Sequence, residues 1–404
     1  MPQKPDPQKI NQLLNRGTVE VQIKADLEKK LNSGKKLNIK FGIDPTGSDL
    51  HLGHMVVVRK LREFQQLGHN IQLLFGNFTG QIGDPTGKSE TRTMRTQAEL
   101  EKNAKHYLQQ VKIFLDIDKL EVRWNAEWLS PLTFAEVIKL ASNFTVAQML
   151  ERDMFQERIK KNAPISIHEF FYPLMQGYDS VALKSDVELG ATEQTFNLLA
   201  GRVLQKAYGQ TPQDIMTVPI LVGTDGKIKM GKTTGNYIGV SESANEMFGK
   251  IMSIPDDIIV NYFELATSVP DEKINEVKKA LKEGENPRNL KMQLAKQIVT
   301  EYHDGKSADE AQQYFIKTVS NKELPDDIES KIIAHSSLEM SLFNALVFGE
   351  LCASKSEAKR LIEQGGVKVD GEKIMDPNVM VNLSKEVIIQ AGKRKVKKLK
   401  IVKG

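Results

Sequence analysis

The chain has 404 residues, 40% hydrophobic and 27% charged, long enough for two or three domains and ordinary in composition for a globular protein. One cysteine, Cys352, excludes an internal disulfide, and the absence of any run of eighteen apolar residues excludes a membrane-spanning helix. The net charge of +4 is uneven: from Leu338 onward 13 Lys and Arg face 8 Asp and Glu, so a polyanionic partner is expected at the tail. The first seven residues lack the apolar core of a secretion signal, and the expected location is the cytoplasm, with no membrane partner.

Ile10–Leu31 reads as one helix ended by Gly34. Leu37–Asp44 is an apolar, strand-like run, Met55–Leu67 a helix closed by Gly68, and His69–Gly76 a second buried strand. Strand, helix, strand at this spacing is a βαβ unit and implies a parallel sheet. A helix around Thr96–Leu115 and a strand at Leu120–Trp124 continue it, and Val218–Val222 is a late strand that turns at Gly223–Gly226. From about 242 to 321 strand signals vanish; Asn286 caps a helix with Pro287 at its first position, and Leu290, Leu294 and Ile298 share one face. Ser354-Lys-Ser-Glu357 reads as a capping box, Gly365 as a stop, and Val367–Ile374 as a hairpin around Asp370-Gly371. The expected class is therefore α/β. A Rossmann-like parallel-sheet domain spans 1–240, a helical domain 241–325, a linker 326–337, and a small α+β domain 338–404.

Chemistry-bearing residues cluster at the ends of these strands. The loop from Asp44 through Thr46 leads to His51-Leu-Gly53-His54, where strand hands over to helix. Helix-start N–H groups face an anion there, two imidazoles can donate to phosphate and ribose oxygens, and Gly53 lets a flat base lie against the backbone. Two histidines three apart also occur on plain helix surfaces. After the second strand, Gly83-Asp84-Pro-Thr-Gly87-Lys88 falls one residue short of a phosphate loop. Asp84 suits an amine or a metal, and Lys88 and Arg92 suit a polyphosphate. Tyr172, Gln176 and Asp179 fall at i, i+4 and i+7 of a helix expected to start at Pro173. That polar face is costly to bury without partners and points to a pocket for a polar ligand. Gly190-Ala191-Thr-Glu193-Gln194 is placed to approach a sugar. Gly226–Thr233 matches the phosphate-loop pattern in letters, but lysines and bulky apolar residues fill it and no amphipathic helix follows. Lys227, Lys229 and Lys232 read instead as a mobile cationic loop for a triphosphate.

In this order, His51-Leu-Gly-His54 and Lys229-Met-Gly-Lys232-Thr233 resemble the HIGH and KMSKS signatures of class I aminoacyl-tRNA synthetases. Asp44-Pro-Thr46, Gly83–Lys88, Tyr172-x3-Gln176-x2-Asp179, Gly190–Gln194 and Asn286-Pro-Arg288 extend the likeness: nearly the whole chain resembles bacterial tyrosyl-tRNA synthetases. Leu351–Ile374 resembles the RNA-binding module first named from ribosomal protein S4. The resemblance implies that tyrosine and ATP form tyrosyl-adenylate and pyrophosphate, and that tyrosine then passes to the terminal adenosine of tRNA(Tyr). It places Thr46 and His51 at the γ-phosphate and His54 at the ribose, with Asp44, Gly53, Gly190, Glu193 and Lys232 in the ATP site. It gives Asp84, Tyr172 and Gln176 the tyrosine amino group, Asp179 the phenolic hydroxyl, and Gln194 a place between tyrosine and the α-phosphate. Lys88, Arg92, Lys229, Lys232 and Thr233 act on the leaving pyrophosphate.

Lys40 stands where many bacterial members carry a tyrosine that shares the substrate hydroxyl, so it is a candidate second reader of that group. Glu193 and Ala191 replace the usual aspartate and glycine. The resemblance also implies Mg2+ arriving with ATP, with no protein-built metal site, and a homodimer joined through the 126–190 segment. The tail and helical domain would bind tRNA, the tail through Lys355, Lys359, Arg360, Lys393, Arg394, Lys395, Lys397 and Lys398. A tryptophanyl-tRNA synthetase, a small-molecule nucleotidyltransferase with an H-x-G-H motif and a non-catalytic RNA-binding relative are the other readings. Asp179 suits a phenol better than an indole, and intact histidines and lysines favour catalysis.

Overall fold

Six strands form the larger sheet: β1 (Glu20–Gln22), β2 (Asn38–Ile43), β3 (Asn70–Phe75), β4 (Leu120–Trp124), β5 (Val187–Ala191) and β6 (Asp214–Val218), in the order β1-β6-β5-β2-β3-β4. Every neighbouring pair is parallel except β1 with β6. The chain leaves β2 toward β3 on one side and returns to β5 on the other. The carboxyl ends of β2 and β5 therefore open a crevice at a topological switch point, where an α/β sheet binds ligands. Helices cover the sheet, which is why Ile39, Ile71, Phe75, Val187 and Ile215 are all fully buried. This computed structural model describes residues 6–84, 96–320, 328–392 and 395–402. Among them no helix is long and apolar enough to cross a membrane.

The first expected helix is two. Pro7–Asn15 and Lys24–Asn32 flank β1, and Gly17 at φ +57° turns the chain between them. Arg16 fixes that turn by donating to the carbonyls of Val269 (2.5 Å) and Thr267 (3.1 Å), so residues 20–22 join the sheet edge. The late strand ends at Val218 rather than starting there, because Pro219 has no N–H to continue the ladder. Pro173 lies inside the helix His168–Leu183, not at its start. The first turn forms upstream because Glu169 reaches back to accept from the Ser166 N–H (2.9 Å) and is itself held by Arg158 (2.9 Å).

Contacts divide the chain into two compact units, Met1–Asp309 and Glu310–Gly404. The division differs from the expected boundaries at 240 and 325. The helices Ala244–Met252, Ile259–Ala266, Asp271–Lys282 and Pro287–Tyr302 pack into the unit that holds the sheet. Arg59 of the helix Leu52–Gln66 shows how: it pairs with Glu301 at 2.6 Å and lies 4.3 Å over the Phe114 ring.

The second unit holds β7 (Ser330–Ala334), β8 (Glu339–Ser341), β9 (Val367–Val369), β10 (Glu372–Ile374), β11 (Met380–Asn382), β12 (Val387–Ala391) and β13 (Lys395–Val402). Five of them form a sheet in the order β10-β9-β12-β13-β7, and β11 pairs with β8. β7 falls in the expected linker; it pairs parallel with β13 because Ile333 joins Leu399 and Ile401 in a buried core. The 367–374 hairpin forms as read, with Asp370 and Gly371 at φ +49° and +89°, the positive pair a type I′ turn requires. Ser354 caps the helix Lys355–Glu363, accepting from the Glu357 N–H, while the Glu357 carboxylate accepts from Ala353.

Candidate active site

The crevice is built around Asp44, the residue after β2. Its two carboxylate oxygens accept from Thr79 Oγ1 (2.8 Å) and from the Tyr172 hydroxyl (2.8 Å). Gly76 at the end of β3 makes this possible, since a Cβ there would sit 1.9 Å from Asp44 Oδ1. Asp44 therefore orients Tyr172, an assignment beyond the ATP-site role expected of it. Burial pushes the Tyr172 phenol well above its ordinary value, and the carboxylates of Asp44 and Asp84 push it the same way, so Tyr172 is a neutral donor. Asp84 is thus close enough to Tyr172 to act on it. Lys88 and Arg92 lie outside the described residues.

Tyr172, Gln176 and Asp179 share one face of the His168–Leu183 helix, as their spacing predicts. Asp179 is 3% exposed and accepts from Trp128 Nε1 (2.7 Å) and Asn125 Nδ2 (3.4 Å). Burial pushes its carboxyl up to about 7, against the pull of Lys40 and of those two hydrogen bonds. Asn125 is locked by its own bonds to Thr79 Oγ1 (2.9 Å) and the Phe78 N–H (2.9 Å). Asn125 and Trp128 are partners of Asp179 that the sequence reading missed. Both follow β4, and a site residue at the carboxyl end of each parallel strand was the available signal.

Lys40 does not present its ammonium to the pocket, which corrects its expected role as a second reader. It is fully buried, and its three donors meet Glu188 Oε1 (2.9 Å), Ser180 Oγ (2.8 Å) and the Gln176 carbonyl (2.8 Å). The Gln176 side chain is engaged at both ends, donating to Glu188 (3.0 Å) and accepting from Asn197 (3.1 Å). Gln194 Oε1 turns back toward the Ala191 N–H (3.4 Å), and a Cβ on Gly190 would come within 3.0 Å of it.

The histidines cap the helix Leu52–Gln66. His54 Nδ1 accepts from the His51 N–H (3.2 Å), and the rings lie 3.8 Å apart. Burial and the nearby charges of Lys229 and Lys232 hold His51 down to about 4. Burial, His51 and the same lysines hold His54 well below its ordinary value. Both rings are therefore neutral at pH 7 and can each donate one hydrogen bond without carrying charge. His51 Nδ1 is buried without a hydrogen-bond partner among the described residues. Thr46 is partly exposed in the loop just before them.

The lysine loop is joined to that cap. Leu52 N–H donates to the Ile238 carbonyl (3.0 Å), and Val240 N–H to that of Leu50 (3.0 Å). Gly53 leaves room for the His51 ring, which a Cβ there would meet at 3.1 Å, while buried Met230 of the loop packs at an ordinary 3.6 Å. The loop expected to be mobile has an internal frame: Asn236 accepts from the Gly231 N–H (2.8 Å) and donates to Asp225 (2.9 Å). Its lysines project from that frame. Lys229, 54% exposed, pairs with Glu193, and Lys232 lies 3.5 Å from Asp49. Thr233 and Lys227 are exposed. Asp49, held by Ser48 and Gln110, is a counter-ion the sequence reading did not single out.

In the second unit Lys355, Lys359 and Arg360 are exposed on one helix, with Lys359 4.7 Å over the Phe343 ring. The basic run after it is not one surface, because side chains alternate along β13. Lys397 shares the inward side with Leu399 and pairs with Glu329 (3.1 Å) and Glu350 (3.6 Å); Lys395 donates to the Leu351 carbonyl. Lys398 and Lys400 alternate to the other side of the strand. Lys393 and Arg394 lie outside the described residues.

Residues 32–320 match the model of class I tRNA synthetases (W and Y), and residues 342–387 match that of the S4 domain. The tyrosine–tRNA ligase of Carboxydothermus hydrogenoformans is 52% identical over 96% of this chain and 97% of its own length. That of Thermotoga maritima is 49% identical over 96% of each. Among solved structures, tyrosyl-tRNA synthetase from Aeropyrum pernix matches with a TM-score of 0.62 at 18% identity, covering 78% of this chain and 98% of that one. A C-terminally truncated mitochondrial tyrosyl-tRNA synthetase from Coccidioides posadasii matches at 0.61 and 24%, covering 76% and 91%.

Proposed function

This chain belongs to the tyrosyl-tRNA synthetase family of class I tRNA synthetases, and on that premise we propose how its crevice works. The reaction is that of a tyrosine–tRNA ligase: tyrosine is activated with ATP and then joined to tRNA. Tyrosine lies along the His168–Leu183 helix, its phenolic hydroxyl donating to Asp179 and its amino group at Tyr172, Gln176 and Asp84. The observation that carries this reading is the buried Asp179 carboxylate, whose Trp128 and Asn125 bonds leave lone pairs for one more donor. Amino-acid-dependent ATP–pyrophosphate exchange with all twenty amino acids tests it. Exchange with tyrosine alone is expected; exchange with tryptophan would overturn the role of Asp179.

The substrate carboxylate is already an anion and attacks the α-phosphorus without a side-chain base. What the protein supplies is alignment and stabilisation of charge on the departing pyrophosphate. Neutral His51 and Thr46 donate to the γ-phosphate, and neutral His54 to the ribose near Gly190, Gln194 and Glu193. Lys229 and Lys232, paired with Glu193 and Asp49 across exposed gaps, exchange those partners for pyrophosphate oxygens. Such exposed pairs are worth only about 0–1 kcal/mol each, so their exchange costs little. Mg2+ arrives on the triphosphate. The second unit binds tRNA backbone through Lys355, Lys359 and Arg360.

The carboxylate form of Asp179 is the acceptor, and its value near 7 sets an acid limb. Below that pH kcat/KM for tyrosine falls by about tenfold per unit, while above it the profile is level. Exchange rates from pH 5.5 to 9 check this, with the KM for ATP as reference; a level profile through 7 would remove Asp179 from hydroxyl recognition. The enzyme is further proposed to be a homodimer joined through the 126–190 segment. Phe134, Ile138, Val146 and Ile167 there are 81, 55, 68 and 74% exposed, apolar side chains of the kind a subunit interface covers. Sedimentation should show a dimer that F134D/I138D converts to a monomer. A monomeric parent protein at micromolar concentration would refute the assignment.

A further inference from the structure

Lys40 and Glu188 are each the one charged residue of their strand, and the parallel ladder makes them direct neighbours. Both are fully buried. Glu188 accepts from Lys40 (2.9 Å), from Gln176 Nε2 (3.0 Å), from Ser180 Oγ (3.0 Å) and from Gln213 Nε2. Lys40 donates to Ser180 Oγ and to the Gln176 carbonyl. Gln176 is thus gripped twice, by its amide from Glu188 and by its backbone from Lys40, and Asp179 follows within one helical turn.

We propose that the Lys40–Glu188 ion pair is a positioning element for tyrosine recognition, fixing Gln176 for the amino group and setting the charge that Asp179 faces at the phenolic hydroxyl. The inference rests on the tyrosine pocket described above. Stability alone does not account for the pair. Removing two charges from water is costly, and apolar side chains of the same volume fill such a space at least as well. An apolar pair cannot donate to the Gln176 carbonyl and accept from its amide at once. Both are fully buried with their charged atoms engaged inside the protein, so both act through Gln176 and Asp179.

The charges facing Asp179 are Lys40 from β2 and Glu188 from β5; Tyr172 on its own helix is a neutral titratable group with Asp44 and Asp84 beside it, and Trp128 and Asn125 are neutral donors. Lys40 draws the Asp179 carboxyl down and Glu188 pushes it up. The two single substitutions therefore have opposite signatures. K40M moves the acid limb of kcat/KM for tyrosine to higher pH, and E188Q moves it to lower pH. Each raises the KM for tyrosine by about tenfold to a hundredfold, the worth of one hydrogen bond to a charged group, while the KM for ATP stays unchanged. The double substitution K40M/E188Q shifts the limb less than either single one.

The measurement is tyrosine-dependent ATP–pyrophosphate exchange across pH 5.5–9 on the full-length enzyme and these variants. E188Q keeps the shape of the residue it replaces and carries the test if K40M does not fold. A tyrosine KM that stays unchanged, or rises in step with that for ATP, overturns the proposal. So do limbs that fail to move in opposite senses, or, where only E188Q folds, an E188Q limb that fails to move down. An unmodified enzyme that shows no exchange with tyrosine fails the proposed function, and this inference with it. An active enzyme with indifferent variants fails the positioning role alone.

Discussion

Changing Lys229 and Lys232 together to alanine is expected to lower tyrosine-dependent pyrophosphate exchange by about 10⁴-fold, since each removed donor to developing charge is worth some 10²–10³. Both ammonium groups project from one framed loop, and their present partners, Glu193 and Asp49, sit on neighbouring elements at the rim of the crevice. The histidines beneath are poor replacements, because burial, the largest cause of their low values, persists when the lysines are gone. Lys227, exposed at the start of the same loop, is then the one described lysine left there to meet charge on pyrophosphate. Activity within tenfold of the parent enzyme would remove the loop from catalysis. Because the substitutions lie far in sequence from residues 342–387, tRNA affinity measured by filter binding should change little.

The second large effect is expected from removing residues 310–404. Pyrophosphate exchange should stay within about threefold of the full chain, as independent units contribute additively. Charging of tRNA should fall by about a hundredfold or more at physiological salt, since several phosphate contacts go with that unit. The physical basis is that each unit has its own core. Leu346, Ile362, Ile389 and Leu399 bury one another in the second unit, and every described crevice residue belongs to the first. Full-length charging should also weaken as salt rises, whereas exchange should not. Equal loss of both activities on truncation would refute this division of labour.

Features governed by near neighbours were legible from sequence. The βαβ unit over residues 38–75 follows from apolar runs and a helix of matching length. His51 and His54 fall at the helix start because chain geometry puts them there. Tyr172, Gln176 and Asp179 share a face because a helix repeats every 3.6 residues. Asp370-Gly371 specifies its turn by tolerating positive φ, and that hairpin forms as read. The order of these signals was enough to name the family.

Other features depended on residues that only the folded chain brings together. Lys40 read as a substrate contact until β5 placed Glu188 beside it, 148 positions away, and consumed its donors. Asn125 and Trp128 carry no motif; the parallel order of β3, β4 and β2 delivers them to Asp179. The lysines from 395 to 398 look like one basic patch in a string of letters. On β13 they divide, because Leu399 and Ile401 claim one face for the core and Lys397 goes with them. β1 and β7 were missed because three to five residues carry little propensity of their own and become strands when an edge pairs with them. Periodicity decides which side of an element a residue takes. The partner that neutralises a buried charge is decided by topology, since a charge leaves water only where the fold supplies one.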